Sequence, residues 1–214
     1  MLNQTLPPSA IPIKGLVLAF WFFLIAAVTA LPQKAHSQVF SQKFDSKGHP
    51  KAKGVWATVR YPAGWEVKEG ERPNIVQKFS GDYKGIFTIL LLQIRQADQP
   101  IEQECKNTPV RDVPEMFSDP ESKIVADNAR KINHEQKPGF LFDIRQNIER
   151  AGQGFDVHQR TMTICYKNTM ISLICGPMKV DRERQKMTSS KALLDEVNPV
   201  CHQFFNSLVL MDNY

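Results

Sequence analysis

The 214-residue sequence has no CxxC and no HxxxH spacing, which excludes a zinc-type site built on a local cysteine or histidine pair. It also lacks a glycine-rich phosphate loop. Gly152-Gln153-Gly154 has two glycines but no helical pattern behind it, so it fails the dinucleotide fingerprint. Charge of one sign is scarce. Residues 1–37 hold no acid and only Lys14 and Lys34, so the chain from Gln38 carries 25 basic and 22 acidic side chains, or +3 over 177 residues. That imbalance is too weak to imply nucleic acid as a partner. There is no internal repeat and no low-complexity tract. A composition of 42% hydrophobic, 23% charged and 9% aromatic residues excludes a disordered, collagenous or multi-span membrane chain.

The N-terminus is the most legible segment. Lys14-Gly15 precedes an apolar run from Leu16 to Ala30, shorter than the roughly 20 residues that a transmembrane helix needs. A basic start, a short apolar run and a small-residue exit make a secretory signal. Val28-Thr29-Ala30 and Ala35-His36-Ser37 both suit signal peptidase. Cleavage after Ser37 is preferred, because Pro32 breaks the helix and leaves an extended stretch for the protease. No cysteine lies near either exit, so a lipoprotein anchor is excluded. The expectation is a signal over residues 1–37, touching the membrane only before cleavage. A single domain over 38–214 would follow, periplasmic or secreted.

All four cysteines, Cys105, Cys165, Cys175 and Cys201, lie beyond the signal, and an even count in an oxidising compartment implies two disulfides. Residues 160–175 read as a hairpin turning at Lys167-Asn168, with Cys165 opposite Met170 and Cys175 opposite Arg160. The two sulfurs then fall on opposite faces, out of bonding reach. Cys175 with Cys201 is preferred, since it ties a strand end to the last helix, and Cys105 with Cys165 follows by elimination.

Strand periodicity appears at Val55–Tyr61 and resumes at Trp65-Glu66-Val67 after the Pro62-Ala63-Gly64 turn. Ile75–Phe79 is another short strand, and Gly81-Asp82 is read as the turn into Ile86–Ile94. That last run is apolar enough to expect a central strand covered on both faces. Prolines at 100, 109, 114 and 120 allow only short helices, near 100–106 and 113–118. Strands at Lys123–Ile132, Phe140–Glu149, Phe155–Tyr166 and Thr169–Cys175 form an antiparallel meander. Residues 179–188 read as a charged loop, where Lys179, Arg182, Arg184, Lys186 and Lys191 offer a weak anion-facing patch. Ser189 or Ser190 caps a helix through Val197, and Asn198-Pro199 restarts it. Val200, Cys201, Phe204, Phe205 and Leu208 make an apolar stripe to cover a sheet face, with a last edge strand at 207–210.

Few residues carry chemistry. His158 stands beside Asp156 and Arg160 in a strand, yet alternation gives it a solvent-facing position and no nucleophile accompanies it. His202 follows Cys201, but adjacent helical residues point about 100° apart and do not form a pair. No catalytic residue, metal ligand or cofactor is assigned. Trp65, Arg72 and Phe79 combine aromatic and arginine anchors around a turn, and form the candidate recognition surface. Core packing of Trp65 and Phe79 is the competing explanation.

Three patterns together resemble the PsbP-like superfamily. They are Tyr61-Pro62-Ala63-Gly64-Trp65 after an early strand, the hairpin of Arg160–Tyr166 with Met170–Ile174, and the closing Phe204-Phe205-Asn206-Ser207-Leu208-Val209-Leu210. The resemblance spans about residues 54–210. It implies an α+β fold, an α-β-α sandwich in which an antiparallel sheet is flanked by helices and the C-terminal helix packs on the sheet. Members of that superfamily mostly bind other proteins. The functional expectation is an exported, non-enzymatic accessory or protein-binding module whose partner is another exported or envelope protein. The alternative is a small-ligand or lipid carrier with its pocket between the sheet and the proline-rich 100–120 segment. A hydrolase using His158 ranks below both.

Overall fold

The computed structural model describes residues 39–118, 123–150, 153–181 and 186–213; residues 1–37, expected from sequence to be a signal, lie outside them. Alternating side chains organise most of this length into strands. In chain order these are β1 (Gln42–Asp45), β2 (Ala57–Tyr61), β3 (Glu66–Glu69), β4 (Ile75–Tyr83), β5 (Ile86–Gln96), β6 (Ile124–His134), β7 (Lys137–Arg150), β8 (Gln153–Tyr166), β9 (Thr169–Asp181), β10 (Lys186–Thr188) and β11 (Val209–Leu210). Among the described residues four α-helices interrupt them: α1 (Glu102–Asn107), α2 (Val113–Phe117), α3 (Lys191–Glu196) and α4 (Asn198–Asn206). The large sheet runs β3-β4-β5-β9-β8-β7-β6, with β10 paired to β9; a small sheet runs β1-β2-β11. Every pairing is antiparallel. The fold is therefore α+β and dominated by antiparallel sheet.

Period-two alternation gives the large sheet two buried faces. One presents Leu90, Leu92 and Ile94 of β5, Ile171 and Leu173 of β9, and Met162 and Ile164 of β8. Against it pack Val200, Cys201, Phe204 and Phe205 of α4, together with Ala57, Val59 and Leu210 of the small sheet. Phe79 is the hub, stacked on Tyr61 at 4.4 Å and edge-on to Phe44 and Phe204 at 5.9 and 6.0 Å. The opposite face presents Phe140, Phe142 and Cys165 to Ile101, Cys105 and Val113, with Phe117 stacked on Phe142 at 4.3 Å. Each cluster closes around a disulfide: Cys175–Cys201 on the first face and Cys105–Cys165 on the second. The hairpin register is the one read from sequence, Cys165 opposite Met170 and Cys175 opposite Arg160.

The helix boundaries follow local chemistry. Ser190 Oγ accepts a hydrogen bond from Leu193 N at 3.2 Å and caps α3, and Pro199 sits in the first turn of α4, where its missing N–H costs nothing. At the β6–β7 turn, Glu135 and Gln136 adopt left-handed backbone, as a two-residue hairpin turn requires. Glu135 then accepts from Leu210 N at 3.0 Å and fastens the small sheet to the large one.

Four expectations need correction. Gly81-Asp82 does not turn the chain. Gly81 lies inside β4, where a Cβ would come within 2.6 Å of the Trp65 ring, and the turn is Lys84-Gly85, with both residues at positive φ. The glycine serves a close approach by an aromatic ring. Residues 179–188 are not simply a loop, since β9 continues to Asp181 and β10 returns along it. Strand β5 is covered fully on one face only; on the other, Phe87 is exposed while Ile89 and Leu91 are half-buried. Strand β1 has no counterpart in the sequence reading, because Gln42-Lys43-Phe44-Asp45 offers a single large apolar side chain.

Candidate functional site

The sheet divides where β8 and β9 part. They pair only between Arg160–Tyr166 and Thr169–Cys175; further out, β8 stays with β7 while β9 stays with β5. Ser189 stitches the fork, its Oγ accepting from His158 N at 3.1 Å and donating to His158 O at 3.3 Å. What emerges is an arm of β6, β7 and β8. Its face on the α3–α4 side carries Asp143 opposite Arg160, Arg145 opposite His158, and Asn147 opposite Asp156.

At the root of the arm lies a buried ion pair. Arg160 donates to Asp143 through Nε at 2.7 Å and through Nη2 at 3.0 Å, in the bidentate geometry that makes such pairs strong. Its Nη1 donates to Asn198 Oδ1 at the start of α4. A bulge between Asp127 and Arg130 puts Asn128 in left-handed backbone, and Asn128 Nδ2 donates to Asp143 Oδ2 at 3.1 Å. Asparagine tolerates that conformation better than most residues, and bulges characteristically re-aim side chains near functional sites. Burial pushes the Asp143 carboxyl up, but the hydrogen bonds and charge of Arg160, with Asn128 and Lys191, outweigh it and hold the group below the usual carboxylate value. The hydrogen bond that Arg160 donates to Asp143 raises Arg160 correspondingly, against the opposing effect of burial.

Two concavities open beside this pair. The inner one, about 300 Å³, is lined by Asn128, Arg130, Leu141, Phe142, Asp143, Arg160, Asn198 and His202. The outer one, about 570 Å³, lies further along the arm and is lined by Ser118, Lys123, Ile124, Val125, Arg145, Asn147, Asp156 and His158. Arg130 and Arg145 are exposed and have no hydrogen-bond or ion-pair partner among the described residues. Val125, opposite Arg145 in the register, is 43% exposed.

The sequence-predicted recognition residues do not share a surface. Phe79 is fully buried at the centre of the core and Trp65 is 7% exposed beneath Gly81, whereas Arg72 is exposed. Their aromatic character serves packing, the competing explanation weighed for them. Among the described residues, Ile101, Cys105, Val113, Phe117, Phe140 and Phe142 pack together between the sheet and the 100–120 segment. Within the proposed anion patch, Lys191 sits 3.3 Å from Asp195 and 3.6 Å from Asp143, while Arg182 and Arg184 lie outside the described residues. Near His158, the Ser189 hydroxyl is engaged by main chain; His158 lines the outer concavity together with Ser118, whose Oγ accepts from Ala126 N at 3.0 Å, and Asp156, whose Oδ1 accepts from Asn147 Nδ2 at 3.0 Å. Among the described residues no group of three metal-ligating side chains occurs.

Asp143, Asn128, Arg130 and Arg145 were not singled out from sequence. The available signal was an acid in Phe140-Leu141-Phe142-Asp143-Ile144: a carboxylate inside an apolar strand needs a cation in register. No protein-family model and no curated protein matches the chain.

Proposed function

We propose that the chain is an exported, non-enzymatic accessory module that binds another exported or envelope protein through the open face of the β6–β7–β8 arm. The observation that carries this reading is the outer concavity, where Arg145, without a hydrogen-bond or ion-pair partner among the described residues, and exposed Val125 stand side by side on a strand floor. Arginine is enriched in protein interfaces, and an apolar neighbour supplies area that gains from being covered. Two disulfides fit an oxidising compartment, and none of the described helices is long and apolar enough to cross a membrane. Helices against both faces of an antiparallel sheet support a PsbP-like α-β-α plan, although the sheet outweighs the helices here. The apolar packing under α1 and α2 weighs against the carrier alternative.

Site-directed photo-cross-linking in cells making the full chain tests this. A photoreactive residue replacing Val125 should give one discrete heavier adduct, and Arg145→Glu should abolish it. The same probe replacing Val67, exposed on edge strand β3, should give none. No adduct at Val125, or the same adducts at both positions, refutes the reading.

A further inference from the structure

The inner concavity is a separate feature, and what lines it is chemically specific. Arg130, exposed, and His202, half-buried, come from β6 and α4, and neither side chain has a hydrogen-bond or ion-pair partner among the described residues. Between them Arg160 is locked by Asp143 on one side and Asn198 on the other. The one carboxylate lining the cavity, Asp143, already accepts two Arg160 nitrogens and the Asn128 amide, with Lys191 Nζ 3.6 Å away. Outside, Asp195 stands 3.8 Å from Arg160 and 3.3 Å from Lys191. Among the residues that line the cavity, the guanidinium groups of Arg130 and Arg160 face the single carboxylate of Asp143, while Lys191, Asp195 and Asp127, which is opposite Asp143 in the register, stand outside the lining; Arg130 is the lining charge without an ion-pair partner among the described residues.

Covalent and strand-register links hold the backbone of the walls. The Cys175–Cys201 bond ties α4 to β9 one residue before His202, and the Asn128 bulge sets Arg130 in register with Leu141 on the cavity side. A held backbone and a locked Arg160 around a net positive lining suit an oxyanion, because part of the ordering cost then falls on folding instead of binding. Leu141 and Phe142 line the same cavity and lower its polarity. About 300 Å³ lies at the small end of ligand sites.

We propose that this cavity is a seat for an oxyanion group, the carboxylate or phosphate of a small ligand, held by Arg130 and His202 with Arg160 as the fixed positive floor. The proposal goes beyond the accessory-module reading and stands whether or not the outer face docks a protein.

The test titrates the folded, oxidised protein with citrate and, separately, with inorganic phosphate by calorimetry, comparing wild type with Arg130→Gln, His202→Gln and the distant Arg111→Gln. At least one anion should bind, and Arg130→Gln should weaken it about tenfold or more, as expected for loss of a charge-assisted hydrogen bond. His202→Gln should weaken it less, and Arg111→Gln should leave it unchanged. A tighter citrate or phosphate curve identifies the source. In parallel, NMR of the wild type should show anion-dependent shifts at the Asn128, Asn198 and His202 amides; this arm decides the matter if a variant does not fold. Absence of binding by both anions, shifts confined to other regions, or affinity unaltered by Arg130→Gln overturns the proposal.

Discussion

Removing the Asp143 carboxylate is the most informative perturbation of the fold. The Asp143 and Arg160 side chains are 8% and 14% exposed, and three of the hydrogen bonds at this centre end on Asp143. Asp143→Ala leaves a guanidinium in place with only Asn198 and the more distant Asp195 beside it. Breaking a buried pair on one side costs about 3–5 kcal/mol, since the remaining charge is desolvated and uncompensated. By contrast the Lys191–Asp195 pair, 53% and 56% exposed, is worth about 0.5 kcal/mol or less. Replacing both buried partners, as Asp143→Leu with Arg160→Met, should recover most of the loss, because no charge is then stranded. The pH dependence has a definite sign. Asp143 titrates lower in the folded protein than in the unfolded chain, so its contribution is complete above the unfolded value of about 3.9 and disappears as pH falls through the folded one. Urea unfolding at pH 7 and at pH 3 measures both effects. The gap between wild type and Asp143→Asn should narrow in acid. A loss below about 1 kcal/mol for Asp143→Ala at pH 7, against the expected range, or a gap indifferent to acid, would refute the reasoning.

Three further outcomes can be checked together. Replacing Cys175 and Cys201 by alanine opens a link between residues 26 apart, and replacing Cys105 and Cys165 one between residues 60 apart; chain entropy alone puts the losses at about 3.5 and 4.3 kcal/mol, so the second pair should lower the urea midpoint more. Gly81→Ala drives a methyl into the Trp65 ring and should cost about 1–3 kcal/mol, read from thermal unfolding together with a changed tryptophan emission. Intact-mass measurement of protein recovered from outside the cytoplasm should give a chain beginning at Gln38; one beginning at Met1 counts against export.

Regular alternation made much of the architecture legible. Met162, Ile164, Ile171 and Leu173 announce the apolar face of a hairpin, and the stripe from Val200 to Leu208 announces the helix that covers it. Ser190 and Pro199 marked their helix starts because capping is a local interaction. Failures occurred where a residue answers to a partner far along the chain. Gly81 is set by Trp65, a neighbour in space on the adjoining strand segment, and β1 is set by its pairing with β2. The candidate site was harder still. Arg130 reaches its face only because a bulge shifts the alternation at Asn128, and Asp143 and Arg160 become partners only through the β7–β8 register. Trp65 and Phe79 show the converse, since the aromatic side chains that suit an interface suit a core equally well.

The placement of the cysteines also bears on how the chain oxidises. In a collapsed but unstructured polypeptide, loop closure favours the nearest thiols, and here those are Cys165 and Cys175, ten positions apart. That shortest link is the wrong one. Once β8 and β9 zip together, the pleat turns the two thiols away from each other, and each is left to meet a helix arriving from its own side. Backbone pairing thus acts as the proofreader of the covalent map. A sequence change that delays this hairpin should trap the chain in scrambled isomers even where the finished protein would tolerate it.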